Sequence, residues 1–126
     1  MSDVERLLAA VRRACLVLPE VVERPSHGAP AWFVRGKKTF VMFADHHHGD
    51  PHTAIWAAAP AGVTAELDAA EPARFFVPPY VGHRGWLGLR LDLAGPDALD
   101  ETELAGIAAD AYRQVAPTTL VRLLDG

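Results

Sequence analysis

An aromatic segment rich in proline and glycine, residues 74–92, constrains the fold of this chain more than any other stretch. It opens with Phe75-Phe76 and closes with Trp86 to Leu91, where apolar side chains alternate with small or charged ones, as in a strand with one buried face. Pro78-Pro79 cannot donate to a β-ladder, so these prolines must lie at an edge or in a connection. The segment therefore predicts two strands joined by a loop.

The predicted loop carries Tyr80, His83 and Arg84, and it contains no acidic residue. Gly82 and Gly85 release the backbone on either side of the His83-Arg84 pair, because glycine adopts conformations that other residues avoid. We expect this loop to project from a sheet and to touch something large and flat.

The remaining elements follow from hydrophobic periodicity and helix punctuation. Ser2 and Glu5 have the spacing of a capping box, and the apolar stripe that follows them ends at Pro19 and includes Cys15. The stripe predicts that Cys15 is a buried core thiol. Residues 20–30 are polar and proline-rich, and they predict a connection rather than a strand.

A hairpin is predicted next, with apolar arms 31–34 and 39–44 around the basic tip Arg35-Gly36-Lys37-Lys38. A third strand is also predicted at 53–59 and a helix at 60–70. Asp100 is predicted to cap a second helix, and Pro117 to open a short final helix. The predicted order is α-β-β-β-α-β-β-α-α in a single domain, residues 1–126. Tight turns between strands imply an α+β fold, with an antiparallel sheet of about five strands and helices packed on one side.

Charge is distributed unevenly along the chain, although the net charge is only −4. Residues 24–44 and 72–91 hold four and three bases and no acid, whereas 45–71 and 92–110 hold five and six acids and no base. An acidic total argues against a generic nucleic-acid binder. Salt screening limits the reach of a charge to about 8 Å, however, so two basic strand pairs can present a positive face even though the net charge is negative.

Several features predict a cytoplasmic protein. The single cysteine rules out an internal disulfide and suits a reducing compartment. The N-terminus is acidic where a secretory signal is basic. No apolar run approaches the ~20 residues that a membrane-spanning helix needs.

The aromatic segment also carries a family resemblance. Phe75 to Gly82, followed by Gly85-Trp86-Leu87, resembles the MmcQ/YjbR family of small bacterial proteins, and the resemblance continues through Ala111-Tyr112-Arg113 and Ala116-Pro117. It covers nearly the whole chain and implies a YjbR-like α+β fold with a double-wing DNA-binding motif. The chain departs from the family pattern at two places. Relatives often carry a Lys-Arg pair where this chain has Thr118-Thr119, and the family pattern has a serine before the tyrosine where this chain has Ala111.

Both basic strand pairs are interpreted as wings that contact double-stranded DNA. Lysine and arginine neutralise phosphates, and a tip residue can enter a groove. The predicted DNA contacts are Arg35, Lys37, Lys38, His83 and Arg84. Since the bases are few, the affinity should be modest and strongly salt-dependent. The alternative is that these are ordinary hairpins whose charged tips keep strand ends soluble.

Two further functions stay open. His46, His48 and His52, with Asp45 or Asp50, offer metal ligands, but their spacing matches no rigid metal-binding motif, and we expect no metal or other cofactor. A small-molecule or protein-binding module is the other alternative, because aromatic residues can line a cleft beside the sheet. These residues are Trp32, Trp56, Phe75, Phe76, Tyr80 and Trp86. Ser26 lies beside His27, but no third group that would orient the pair is apparent, so we do not expect an enzyme.

Overall fold

Residues 1–125 are described by a computed structural model, with the side chain of His48 excepted. They form one six-stranded antiparallel sheet and four α-helices. The elements in chain order are α1 (Asp3–Leu16), β1 (Val21–Ser26), β2 (Ala29–Val34), β3 (Lys38–Asp45), β4 (Thr53–Ala57), α2 (Val63–Ala70), β5 (Phe75–Phe76), β6 (Leu87–Arg90), α3 (Glu101–Val115) and α4 (Thr118–Asp125). The strand order across the sheet is β1-β2-β3-β4-β6-β5. The predicted α+β class and antiparallel sheet are confirmed.

The strand count is the main correction, because β1 lies in the segment that the sequence predicted to be a connection. Val21 to Ser26 pairs antiparallel with β2 in unbroken register, from Val21 opposite Val34 to Ser26 opposite Ala29. As an edge strand β1 keeps much of its surface in solvent, and it accommodates Pro25 without losing a central ladder bond. A polar, proline-containing sequence is therefore compatible with this strand.

The helix ends follow the predicted capping chemistry. Ser2 Oγ accepts a hydrogen bond from the Glu5 amide at 3.1 Å, and the Asp100 carboxylate accepts from the Thr102 and Glu103 amides. These side chains satisfy backbone donors that the first turn of a helix leaves unpaired. The longest helix, α3, has 15 residues, and no helix within the described chain has the length and apolar character needed to cross a bilayer.

Helices α1 and α3 cover one face of the sheet. Trp32 of β2 is fully buried there, and its indole N–H donates to Glu23, which also accepts from Arg12 of α1. Phe40 of β3 meets the Tyr112 ring of α3 edge-on, with centroids 5.7 Å apart. The Tyr112 hydroxyl donates to the Pro19 carbonyl at 2.7 Å, so the helical layer is also fixed to the start of β1.

The opposite face of the sheet, called here the outer face, carries Met42, Trp56 and Gly88 side by side on β3, β4 and β6. Side chains alternate between faces along a strand, so these residues point away from the helices that cover Trp32. Every residue of β4 is nevertheless buried, because the outer face is covered too. Phe76 lies over Gly88 so closely that a Cβ there would meet the ring at 2.5 Å.

Cys15 lies on α1 and is fully buried, as predicted. Burial raises the pKa of its thiol, because an apolar environment disfavours the thiolate. We expect the native protein to leave Ellman's reagent unreacted at pH 8 and to react with one equivalent after unfolding in guanidinium chloride. Rapid reaction of the folded protein would contradict the buried position of this residue.

Candidate nucleic-acid interface

Two lysines are presented by the tight turn between β2 and β3. Arg35 and Gly36 both adopt positive φ, 55° and 69°, and the Lys37 amide donates to the Val34 carbonyl at 2.9 Å. This backbone geometry is typical of two-residue hairpin turns. It leaves Lys37 and Lys38 exposed at the end of the hairpin, where the sequence placed them.

Arg35 lies at the same tip, but a carboxylate holds its guanidinium. Its Nε and a terminal nitrogen donate to Glu20 at 3.0 and 3.3 Å, and this hydrogen bonding raises the pKa of Arg35 further. The positive charge is therefore partly compensated within the protein. Sequence reasoning missed this pairing because it did not predict β1, the strand that begins directly after Glu20 and pairs with β2.

The loop between β5 and β6 is compact rather than a second protruding ribbon. β5 has only two residues, and the loop turns back through a 3₁₀ turn at Gly82–Arg84. The Gly85 amide donates to the Gly82 carbonyl at 3.0 Å, and the Gly85 carbonyl accepts from Thr64 Oγ of α2 at 2.8 Å. These bonds hold the loop against the body of the protein, so the predicted double wing reduces to one hairpin and one folded loop.

The hairpin tip and this loop meet at one groove of about 420 Å³, called here the cationic groove. Its lining residues are Lys37, Lys38, Thr39, Arg84, Gln114 and Val115. The groove thus brings together three of the five predicted DNA contacts, from segments more than 40 residues apart in sequence. The other two are not among its lining residues: Arg35 pairs with Glu20, and His83 is exposed on the neighbouring turn.

The other bases of the two basic segments take part in internal contacts. Arg74 pairs with Glu71 and Glu103, and Arg90 donates to two backbone carbonyls and lies 4.7 Å from the Phe76 ring centroid. Arg24 lies 4.0 Å from the Phe33 ring centroid. Among these three, only Arg74 pairs with carboxylates. Within residues 1–125, no carboxylate comes within ion-pair distance of Lys37, Lys38 or Arg84 either, and these three lie together at one groove. Their charge is therefore available to an external anion.

A larger cleft of about 570 Å³, called here the aromatic cleft, lies beside the cationic groove on the outer face. Its lining residues are Ser26, His27, Thr39, Met42, His47, Trp56, Tyr80, Val81, Arg84 and Trp86. Three of the six predicted cleft aromatics are among them: Trp56, Tyr80 and Trp86. Trp32 and Phe75 instead fill the core, and Phe76 packs on Gly88.

The aromatic residues of this cleft differ in exposure. Trp56 and Trp86 are buried and form the floor, and Arg84 lies over Trp86 with its guanidinium carbon 5.3 Å from the ring centroid. Tyr80 is 68% exposed at the rim. Sequence reasoning named these three aromatics but not Met42 or His47, because outer-face neighbours can be recognised only once the strand register is known.

Comparison with protein families connects this architecture to known sequences. The sequence profile of the YjbR family matches residues 16–114, which are 99 of the 126 residues. The chain belongs to the YjbR family. The match includes every residue that lines the aromatic cleft and all but Val115 of the cationic groove, so both features lie in the YjbR region of the chain. Comparison with the curated proteins and with the solved structures returned no match.

In this YjbR protein the two histidine-loop candidates whose side chains are described, His46 and His52, have separate carboxylate partners. His46 Nδ1 lies 2.7 Å from Asp45, and His52 Nδ1 lies 3.0 Å from Asp92, so two histidines contact two different carboxylates. The side chain of His48 lies outside the described residues. Among the described side chains, no group of three His, Cys, Asp or Glu residues is arranged to hold a metal ion.

Proposed function

We propose that this YjbR protein binds DNA and contacts its phosphates through Lys37, Lys38 and Arg84. The observation that carries the proposal is the convergence of these three cations, from two distant loops, on one groove. Lysine and arginine side chains neutralise backbone phosphates and release condensed counterions, which supplies most of the sequence-independent affinity for DNA. The proposed activity is binding without catalysis and needs no cofactor.

The acidic total of the chain is compatible with this proposal. No acid is among the described residues that line the cationic groove. Several acids elsewhere pair with other residues, as Glu101 does with Arg13 and Asp92 with His52. Because charges more than about 8 Å apart are largely screened at physiological salt, a remote acid weakens the potential of the groove less than a lining acid would.

Contacts of this kind position a duplex but do not read its sequence. Phosphate contacts fix register and orientation, whereas base-edge contacts in the grooves carry specificity. His83, exposed beside Arg84, is the candidate for a groove contact, and Arg35 is a weaker phosphate candidate because of its bond to Glu20. We therefore expect little sequence preference.

A fluorescence anisotropy titration with duplex DNA tests the proposal. At 50 mM salt we expect weak but measurable binding, and Lys37→Glu/Arg84→Glu should weaken it by roughly tenfold or more. Raising the salt from 50 to 200 mM should lower the wild-type affinity steeply. The same increase in salt should lower the affinity of the variant for DNA only about fourfold, because a single phosphate contact remains.

Arg6→Glu/Arg13→Glu is a matched control. It reverses two charges as well, but on exposed residues of α1 that do not line the cationic groove. The ion pairs lost are exposed and each worth at most about 1 kcal/mol, so the fold should persist. Equal loss of binding in both variants would mean that DNA senses only the net charge. Absence of binding to both duplex and single-stranded DNA at 50 mM salt would reject the proposal.

Small-molecule binding is a second candidate function, favoured by the aromatic cleft. Its volume of about 570 Å³ and its mixture of aromatic and polar lining residues are typical of ligand sites. This function becomes the leading one if duplex DNA does not bind at low salt. A small aromatic compound that raises the melting temperature would then support small-molecule binding, provided that Thr39→Trp, which fills the cleft, abolishes the rise.

A further inference from the structure

We propose that the aromatic cleft receives an unstacked base of a single DNA strand, while the adjoining phosphates of that strand lie in the cationic groove. This inference rests on the proposed phosphate contacts and adds the form of DNA that the protein prefers. A base inside an intact duplex is stacked and paired, so a duplex cannot fill the cleft without an energetic penalty. The protein should therefore prefer unpaired strands.

The cleft and the groove are two parts of one continuous surface. Thr39 and Arg84 line both of them. The Arg84 guanidinium lies over Trp86 in the cleft, and the same side chain forms part of the groove wall. A single nucleotide carries a flat aromatic ring and an anion joined by a short sugar. The arrangement of an aromatic cleft beside a cluster of three cations matches those two parts.

Tyr80 provides the stacking surface at the rim of the cleft. Tyr80 is 68% exposed. Its backbone has φ 66°, a region that residues with a side chain rarely adopt and that is concentrated at functional sites. The neighbouring Pro78 is buried, and the Val81 amide donates to the Pro79 carbonyl at 2.7 Å, so both sides of Tyr80 are fixed.

The lining of the cleft suits the flat ring and the polar edge of a base. Met42, Trp56 and Val81 supply apolar contact, and Ser26 and Thr39 supply hydroxyls for the edge of a base. Proteins that bind single strands without sequence preference combine aromatic stacking surfaces with a basic groove along the backbone. Both parts occur here at adjacent positions.

Two oligonucleotides of equal length separate the base from the phosphates. One is oligothymidine, and the other is an abasic strand with the same backbone charge. At 50 mM salt we expect oligothymidine to bind about 5- to 150-fold more tightly, the range that about 1–3 kcal/mol per stacked base implies. Tyr80→Ala should remove most of this difference, and Tyr80→Phe should preserve it. Oligothymidine should also quench tryptophan fluorescence, since Trp56 and Trp86 line the cleft.

The outcomes distinguish this inference from the proposed function. Suppose that both strands bind with equal affinity and that Lys37→Glu/Arg84→Glu weakens this binding. That result overturns the base site but still supports the phosphate contacts. If the protein binds neither oligonucleotide and does not bind duplex DNA, both the base site and the proposed phosphate contacts are overturned. Tyr80→Ala keeps a Cβ on the same backbone, and an unchanged melting temperature ties any loss of binding to the missing ring. A wild-type preference for oligothymidine that survives Tyr80→Ala also overturns the assignment.

Discussion

Trp32→Ala should lower the free energy of unfolding by about 3–5 kcal/mol, the cost typical of truncating a fully buried tryptophan. Trp32 lies between β2 and the helical layer with no exposed surface, and its indole N–H donates to Glu23 at 3.1 Å. Truncation opens a cavity and also removes the neutral donor from a carboxylate that Arg12 already binds. A domain of this size has about 5–15 kcal/mol of total stability, so a large part of it would be lost.

Urea denaturation followed by far-ultraviolet circular dichroism measures this change. Tyr80→Ala is the matched control, because it truncates an exposed aromatic residue and should shift the stability by less than about 0.5 kcal/mol. If the two variants unfold at the same urea concentration, Trp32 is not in the core that the sheet and α1 enclose.

Most of the fold could be predicted from the sequence because its signals are local. Ser2 and Asp100 mark helix starts through side chains that cap backbone amides a few residues away. The Arg35-Gly36 turn is equally local. β1 was missed for the opposite reason: its apolar residues are few, and what makes it a strand is pairing with β2. Such pairing is a tertiary property that overrides local propensity.

The candidate site was only partly predictable from the sequence, for a related reason. The bases of both basic segments were visible, but their partners were not. Arg74 pairs with Glu103, 29 residues away, and Arg35 pairs with Glu20 across the sheet edge. These contacts depend on the order of strands and helices. They compensate the charge of one base in each segment. The convergence of Lys37, Lys38 and Arg84 on one groove depends on the same order.

Introducing a basic pair at the start of α4 should strengthen DNA binding and its salt dependence. Thr118 and Thr119 are exposed and follow Pro117, which lines a hollow together with Lys37 and Lys38. Thr118→Lys/Thr119→Arg would add two cations beside the cationic groove. If each cation neutralises one phosphate, raising the salt from 50 to 200 mM should weaken the wild type about 40-fold and this variant about 500-fold.

Anisotropy titrations with duplex DNA at several salt concentrations measure the two slopes. Thr118→Gln/Thr119→Gln is the control, because it adds long side chains without charge and should keep the wild-type slope. Cations in the first turn of a helix oppose its dipole, so the charged variant should be less stable by about 0.3–1 kcal/mol per residue. A loss of stability without a steeper slope would mean that the new charges do not reach phosphate. In that case bound DNA would not extend from the cationic groove to α4.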